Sequence, residues 1–152
     1  MAPATVSSMD DVIECWVFNA EPCEPNSPNG YAERHIHSEI YKRHDDIYAV
    51  VHSHSEAFIP YTITGVGLKA YNHMAGFLGS DAVPVCDIAQ YYEDEDGKDL
   101  LVRNKHIGNK LAEYFDGGNK VTLVRSHGFT VIAESIEEVV LRATHAQKNA
   151  AI

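Results

Sequence analysis

Between Glu33 and His44 the apolar residues recur at helical spacing. At ~100° per residue, Ile36, Ile40 and Tyr41 share one arc, and Arg34, His35, Ser38, Glu39, Lys42 and Arg43 share the other. The pattern predicts a helix and places Glu33, His37 and His44 among its inward positions, where a charge is costly without a partner. Ile47 to His54 then reads as a buried strand, and Ser55 to Thr62 as a short helix ahead of a turn at Gly65 and Gly67. Val83 to Ile88 is expected as a strand and Asp99 to Val102 as a weaker one. Asn104 to Phe115 has Ile107, Leu111 and Tyr114 on one helical face and stops at Gly117-Gly118. Lys120–Arg125 and Phe129–Ala133 are two apolar strands around Ser126-His127-Gly128. Ser135 and Glu138 have capping-box spacing for a last helix, whose inward stripe is expected to be Ile136, Val139, Val140 and Ala143.

The N-terminal part reads differently. Residues 1–10 look like a loose leader and Val12–Phe18 like a short strand. Glu21–Gly30, with Pro22, Pro25 and Pro28, is a loop. The expected organisation is a leader strand with a Pro-rich loop over 1–30 and one domain over 31–152. Alternation of strands and helices predicts a layered α/β/α domain.

Composition narrows the function classes. The chain has 152 residues, 45% of them hydrophobic, enough for one core. Its net charge of −10 lacks any Lys/Arg cluster, which excludes nucleic acid and anionic membrane as expected partners. The acidic run Glu93–Asp96 reads as a solvated loop. Cys15, Cys23 and Cys86 show no CxxC spacing, so a reducing compartment fits. No signal peptide or membrane span is apparent, and a cytoplasmic protein is expected.

Nine histidines are the anomaly. His52 and His54 are two apart on an apolar strand, so both leave the same face. Two imidazoles so placed need a common partner: a shared metal ion, or each other through hydrogen bonds. His127 reads as a turn histidine or as the third ligand. Glu33 reads as a helix-start carboxylate favoured by the dipole, and that role is compatible with facing a metal. Three imidazoles with a carboxylate suit one divalent ion, Zn²⁺, Mn²⁺, Fe²⁺ or Co²⁺.

Glu33, Tyr41, Ala49-Val50-Val51-His52-Ser53-His54 and Ser126-His127-Gly128 together resemble the class II aldolase/adducin family, over about residues 30–152. The resemblance implies that family's fold, with a central mixed, mainly antiparallel sheet. It also implies that His52, His54 and His127 are metal ligands and that Glu33, nineteen residues before His52, is the acid/base group. Asn29-Gly30-Tyr31, Ile36-His37-Ser38-Glu39-Ile40-Tyr41 and His73-Met74-Ala75-Gly76-Phe77-Leu78-Gly79 look like the branch of metal-dependent decarboxylases of hydroxylated aromatic dicarboxylic acids. Three features depart from the aldolases. Tyr31 and Ala32 stand where the aldolases have a phosphate-holding serine pair. His73 stands where they have a tyrosine that reaches a neighbouring subunit. Residues 1–28 do not look like the family's preceding strands and loop.

The function so implied is a metal-dependent C–C lyase, decarboxylating a hydroxylated aromatic or enolisable carboxylic acid through a metal-stabilised enolate. Glu33 and His73 are the expected acid/base groups. His37 orients Glu33 or touches substrate, and Arg125 and Tyr41 are candidate substrate contacts. A homo-oligomer is expected, because a small core is easily completed by a neighbour. Alternatives are an aldolase, a metal-templated cyclase, isomerase or oxygenase on the same ligands, and a non-catalytic adducin-like interaction protein.

Overall fold

A computed structural model describes residues 6–28 and 30–152; residues 1–5 of the expected leader and Asn29 lie outside the described residues. The regular elements, in order, are α1 (Arg34–Arg43), β1 (Ala49–Ser53), α2 (Ile59–Ile63), β2 (Val85–Cys86), α3 (Lys105–Glu113), β3 (Val121–Val124), β4 (Gly128–Ala133) and α4 (Ile136–Ala150). Single 3₁₀ segments at Glu56–Phe58, His73–Leu78 and Ile88–Tyr91 join them.

The four strands form one mixed sheet in the order β1-β4-β3-β2. β1/β4 and β4/β3 are antiparallel, and β3/β2 is parallel. Strand alternation sorts the side chains into two layers. Ala49, Val121, Leu123, Phe129 and Val131 pack with Phe58 and α4 on one face. There Phe58 stacks on Phe129, with ring centroids 3.9 Å apart. On the other face Val124 and Ile132 pack with Ile36, Ile40, Ile107 and Leu111 from α1 and α3. This is the α/β/α layering that the order of elements implied.

Several expectations are corrected. Val12–Phe18 forms no ladder beyond a single bridge between Cys15 and Pro22. Asp99–Val102 is not a strand: Leu100 has φ 65°, which turns the chain out of extended geometry. The Val83–Ile88 strand contracts to Val85–Cys86, because Asp87 caps the 3₁₀ turn that follows.

Ser38 and Glu39, expected on the polar arc of α1, are buried. The reason is Gly108 of α3, where a Cβ would lie only 2.6 Å from the His35 carbonyl oxygen. With no side chain there, α3 closes over that arc of α1. On α4, Ile136 and Val140 are 71% and 52% exposed rather than inward. The buried positions are Val139, Ala146, Asn149 and Ala150, with Ala143 half-buried. Val140 stands ~100° around the helix from Val139, and Ile136 occupies the first turn, where the helix leaves the end of β4. The Ser135 cap is as expected, its hydroxyl accepting from the Glu138 amide.

Candidate metal centre

On β1, His52 leaves the sheet toward α1 and α3, cross-strand from Thr130 of β4. His54 continues the same parity just past the strand end. His127 arrives from a tight turn in which Ser126 adopts φ 56°, its amide donating to Thr62 Oγ1 at 3.1 Å. Gly128 follows because β4 starts hard against the end of β1. A Cβ at Gly128 would sit 2.1 Å from the Ser53 carbonyl oxygen and 2.9 Å from His54 Cα. That close approach brings His127 beside His52 and His54.

Glu33 occupies the N-cap position of α1, yet its side chain makes no cap hydrogen bond. The carboxylate turns inward and is 3% exposed. Its Oε2 lies 3.0 Å from His54 Nε2 and 3.5 Å from His52 Nε2, and its Oε1 lies 3.2 Å from His127 Nε2. The imidazoles also converge: His127 Nε2 is 2.8 Å from His54 Nε2 and 3.1 Å from His52 Nε2. One donor atom from each of the four residues lies within 4.8 Å of every other.

The hydrogen bonds behind these atoms restrict their protonation. His127 Nδ1 lies 2.5 Å from the Leu100 carbonyl oxygen, which can only accept. Nδ1 therefore carries a proton, and in the neutral ring Nε2 is a lone-pair acceptor. It faces a carboxylate oxygen and two more imidazole nitrogens. Acceptors so close repel unless a proton or cation lies between them, and one divalent cation satisfies all four. His52 Nδ1 has its own outer partner, Thr130 Oγ1 at 2.9 Å. Outer hydrogen bonds of this kind orient imidazoles toward metals. The donor set thus fits a divalent ion.

The electrostatics agree. Burial pushes the Glu33 carboxyl upward, but hydrogen bonds and charge from His127 and His52 overcome it and hold the group far below the usual carboxylate range. His52 is pushed down, chiefly by burial, with Glu33 opposing. His37 is pushed down to about 4 by burial and the neighbouring His52, so it is neutral at physiological pH.

The other expected site residues lie apart from these four. His37 and Tyr41 line an apolar cleft of about 250 Å³ between α1 and the N-terminal segment, with Trp16, Val17, Tyr31 and Ser38. Arg125 is exposed, and its Nε lies 3.5 Å from Asp87 Oδ2. His73 is exposed on a 3₁₀ segment that packs with α4, on the opposite face of the sheet from the cluster. His44 finds an ordinary partner in the Ala112 carbonyl.

Sequence reasoning missed three participants. Thr130 was detectable, since it is a polar residue on an apolar strand. Leu100 and Val102 were not, because they contribute only backbone: the Leu100 carbonyl to His127, and the Val102 amide, which donates to Glu33 Oε1 at 3.2 Å.

Comparison with known proteins gives the family. Residues 4–152 match the class II aldolase and adducin N-terminal domain; the chain belongs to that family. The match begins well before residue 30, so the N-terminal segment that looked unlike the family falls within it. The decarboxylase tropJ of Talaromyces stipitatus is 46% identical over 159 residues, covering 100% of this chain and 59% of that protein. A 3,4-dihydroxyphthalate decarboxylase of Arthrobacter keyseri is 30% identical, covering 78% of this chain and 44% of its own length. The chain thus spans 59% and 44% of the length of these relatives. Among solved structures, L-fuculose-1-phosphate aldolase from Thermus thermophilus superposes with a TM-score of 0.65 at 18% identity, over 95% of this chain and 68% of that one. That likeness concerns the fold.

Proposed function

We propose that this chain carries the metal centre of a C–C lyase that decarboxylates a hydroxylated aromatic or enolisable carboxylic acid. The observation that carries the reading is the convergence of His52, His54 and His127 Nε2 on the Glu33 carboxylate. The decarboxylase names of its relatives support the reaction class.

A divalent ion held by the three histidines would supply Lewis-acid stabilisation of the negative charge left when the C–C bond breaks. The protein's own groups do the rest. The Glu33 carboxylate is ionised at neutral pH, so it can accept the proton of a substrate hydroxyl and deliver it to the carbon that loses CO₂. The His54 side chain is 57% exposed while that of Glu33 is 4% exposed, so the approach to the cluster is from the His54 side. His37, neutral and lining the apolar cleft four residues after Glu33, is the candidate group to position the carboxylate or touch substrate. Trp16, Tyr31 and Tyr41 give that cleft walls suited to an aromatic ring.

His73 reaches such a site only when another copy brings it, which motivates a homo-oligomer. Arg125, beside Asp87, is the candidate anchor for a substrate carboxylate. The three free thiols fit a cytoplasmic location, and among the described residues no helix is long and apolar enough to cross a membrane. Tyr31 and Ala32 argue against a phosphate-bearing aldol substrate.

The test is elemental analysis of protein expressed with Zn²⁺, Mn²⁺ and Fe²⁺, combined with a screen of hydroxy-aromatic carboxylates for CO₂ release. About one ion per chain and metal-dependent CO₂ release are expected. Substoichiometric metal under all three conditions, unchanged by H52A, overturns the metal reading. Full metal with no CO₂ release, but with aldol cleavage, transfers the site to the aldolase reading.

A further inference from the structure

The loop between Tyr92 and Arg103 enters the metal centre without contributing a single ligand. Its Leu100 carbonyl oxygen accepts from His127 Nδ1, and two residues on its Val102 amide donates to Glu33 Oε1. One short stretch of backbone therefore holds both the imidazole and the carboxylate. It does so in an unfavourable conformation, for Leu100 sits at φ 65°, a region L-residues with large side chains rarely adopt. Such a conformation persists only where the surroundings impose it.

The imposing group is identifiable. The Leu100 amide donates to the Tyr92 hydroxyl oxygen at 2.8 Å, and Tyr92 itself packs against the α1/α3 side of the core. The base of the loop is tied separately. Asp96 accepts from the Glu93 amide, from Asn104 Nδ2 at 2.6 Å, and lies 2.9 Å from His106 Nε2. Asp99 accepts from Arg103 Nε. The Leu100 carbonyl faces His127 and the next amide, Leu101, donates to Asp99 Oδ1 at 3.2 Å, so the Tyr92 hydroxyl is the one side-chain group bonded to the Leu100 amide among the described residues.

We infer that Tyr92 is a positioning residue of the metal centre: its hydroxyl holds Leu100 left-handed, so that the Leu100 carbonyl keeps His127 in the Nδ1–H tautomer with Nε2 free for the ion. Tyr92 touches neither metal nor substrate. It acts through the peptide of Leu100, and removing its hydroxyl leaves every ligand in place. The Leu100 amide, once released, can turn toward water; that relaxes φ at Leu100 and shifts the following peptide plane, whose carbonyl faces His127. His127 then loses the partner that selects its tautomer, and Nε2 carries the proton in part of the population.

The inference rests on the metal reading above, and two measurements on the 152-residue chain separate them. The first is a Co²⁺ titration of wild type and Y92F, followed by the visible ligand-field spectrum. The second is ¹⁵N NMR of the histidine rings in the metal-free chain, which reports the tautomer directly. Y92F is expected to bind Co²⁺ ~10–100-fold more weakly, as losses of outer-shell partners do, with an altered spectrum. The thermal midpoint of the metal-free chain should stay within a few degrees of wild type. His127 should be the Nδ1–H tautomer in wild type and a mixture in Y92F. Co²⁺ affinity within twofold of wild type and an unchanged His127 tautomer overturn the role of Tyr92. If wild type itself fails to bind Co²⁺, the metal reading falls, and the tautomer measurement still decides whether Tyr92 positions His127. Should Y92F fold poorly, amide hydrogen exchange of the metal-free wild-type chain decides instead: the Leu100 amide is expected to be protected like its core neighbours, and exchange at the unprotected rate overturns the bond to Tyr92.

Discussion

Gly128 lies so close to Ser53 that a Cβ on it would stand 2.1 Å from the Ser53 carbonyl oxygen. Two strand ends, one carrying His52 and leading to His54, the other led by His127, meet at that contact. The expectation is that G128A pushes the ends of β1 and β4 apart. It should destabilise the fold by several kcal/mol, as overpacking against rigid backbone does, and weaken metal binding with it. Denaturant unfolding and metal content of the same preparation check this. Wild-type stability with full metal would mean the strand ends can yield.

Glu33 and His52 are expected to fail differently. Three imidazoles can keep an ion without the carboxylate, so E33Q should retain much of its metal. An amide cannot carry a proton, and turnover should fall by ~10²–10⁴. H52A should lose metal and turnover together. Metal content beside turnover, on a substrate found by CO₂ release, makes the comparison. Near-wild-type turnover in E33Q would reduce Glu33 to a helix-start residue and pass the proton role to His37 or His73.

Thr130 offers a milder perturbation. T130V conserves shape but removes the hydroxyl 2.9 Å from His52 Nδ1. Metal affinity should drop ~10-fold or more while Thr130's neighbours in the buried strand stay packed. Competition against a chelator measures it. Unchanged affinity would show that His52 needs no outer partner.

His37 makes a prediction about pH. Its folded pKa of about 4 lies below the ordinary histidine value of 6.5. Between those values the unfolded chain binds the proton and the folded chain does not, so stability rises with pH across the window and is lost as pH falls from 6.5 toward 4. His52 shifts in the same direction. The depressed Glu33 adds a further loss below its ordinary value of 4.5. Unfolding in the presence of a chelator should therefore show a slope of up to ~1.4 kcal/mol per pH unit from His37. In H37Q this share of the slope should vanish. An H37Q profile parallel to wild type would mean that His37 is solvated in the folded state.

The sequence by itself determined the local elements and the chemistry they carry. Helical spacing places Glu33 at the head of α1, and period-two spacing puts His52 and His54 on one strand face. Both follow from backbone geometry, which is local. A composition with nine histidines and no basic cluster pointed to a metal and away from nucleic acid. The tertiary structure alone decided how these parts meet. Ser38 and Glu39 are buried because Gly108 of a distant helix has no side chain to hold α3 away. Ile136 and Val140 are exposed because α4 turns the face of Val139, Ala146 and Ala150 to the sheet, and the docked orientation of a helix is set by its partners. His73 lies on the far layer. Apart from the Thr130 hydroxyl, the outer hydrogen bonds of the cluster come from the Leu100 carbonyl and the Val102 amide, and peptide groups are the same at every residue. No side-chain pattern can announce which peptide will be used; only the path of the folded chain, bent at Leu100, selects it.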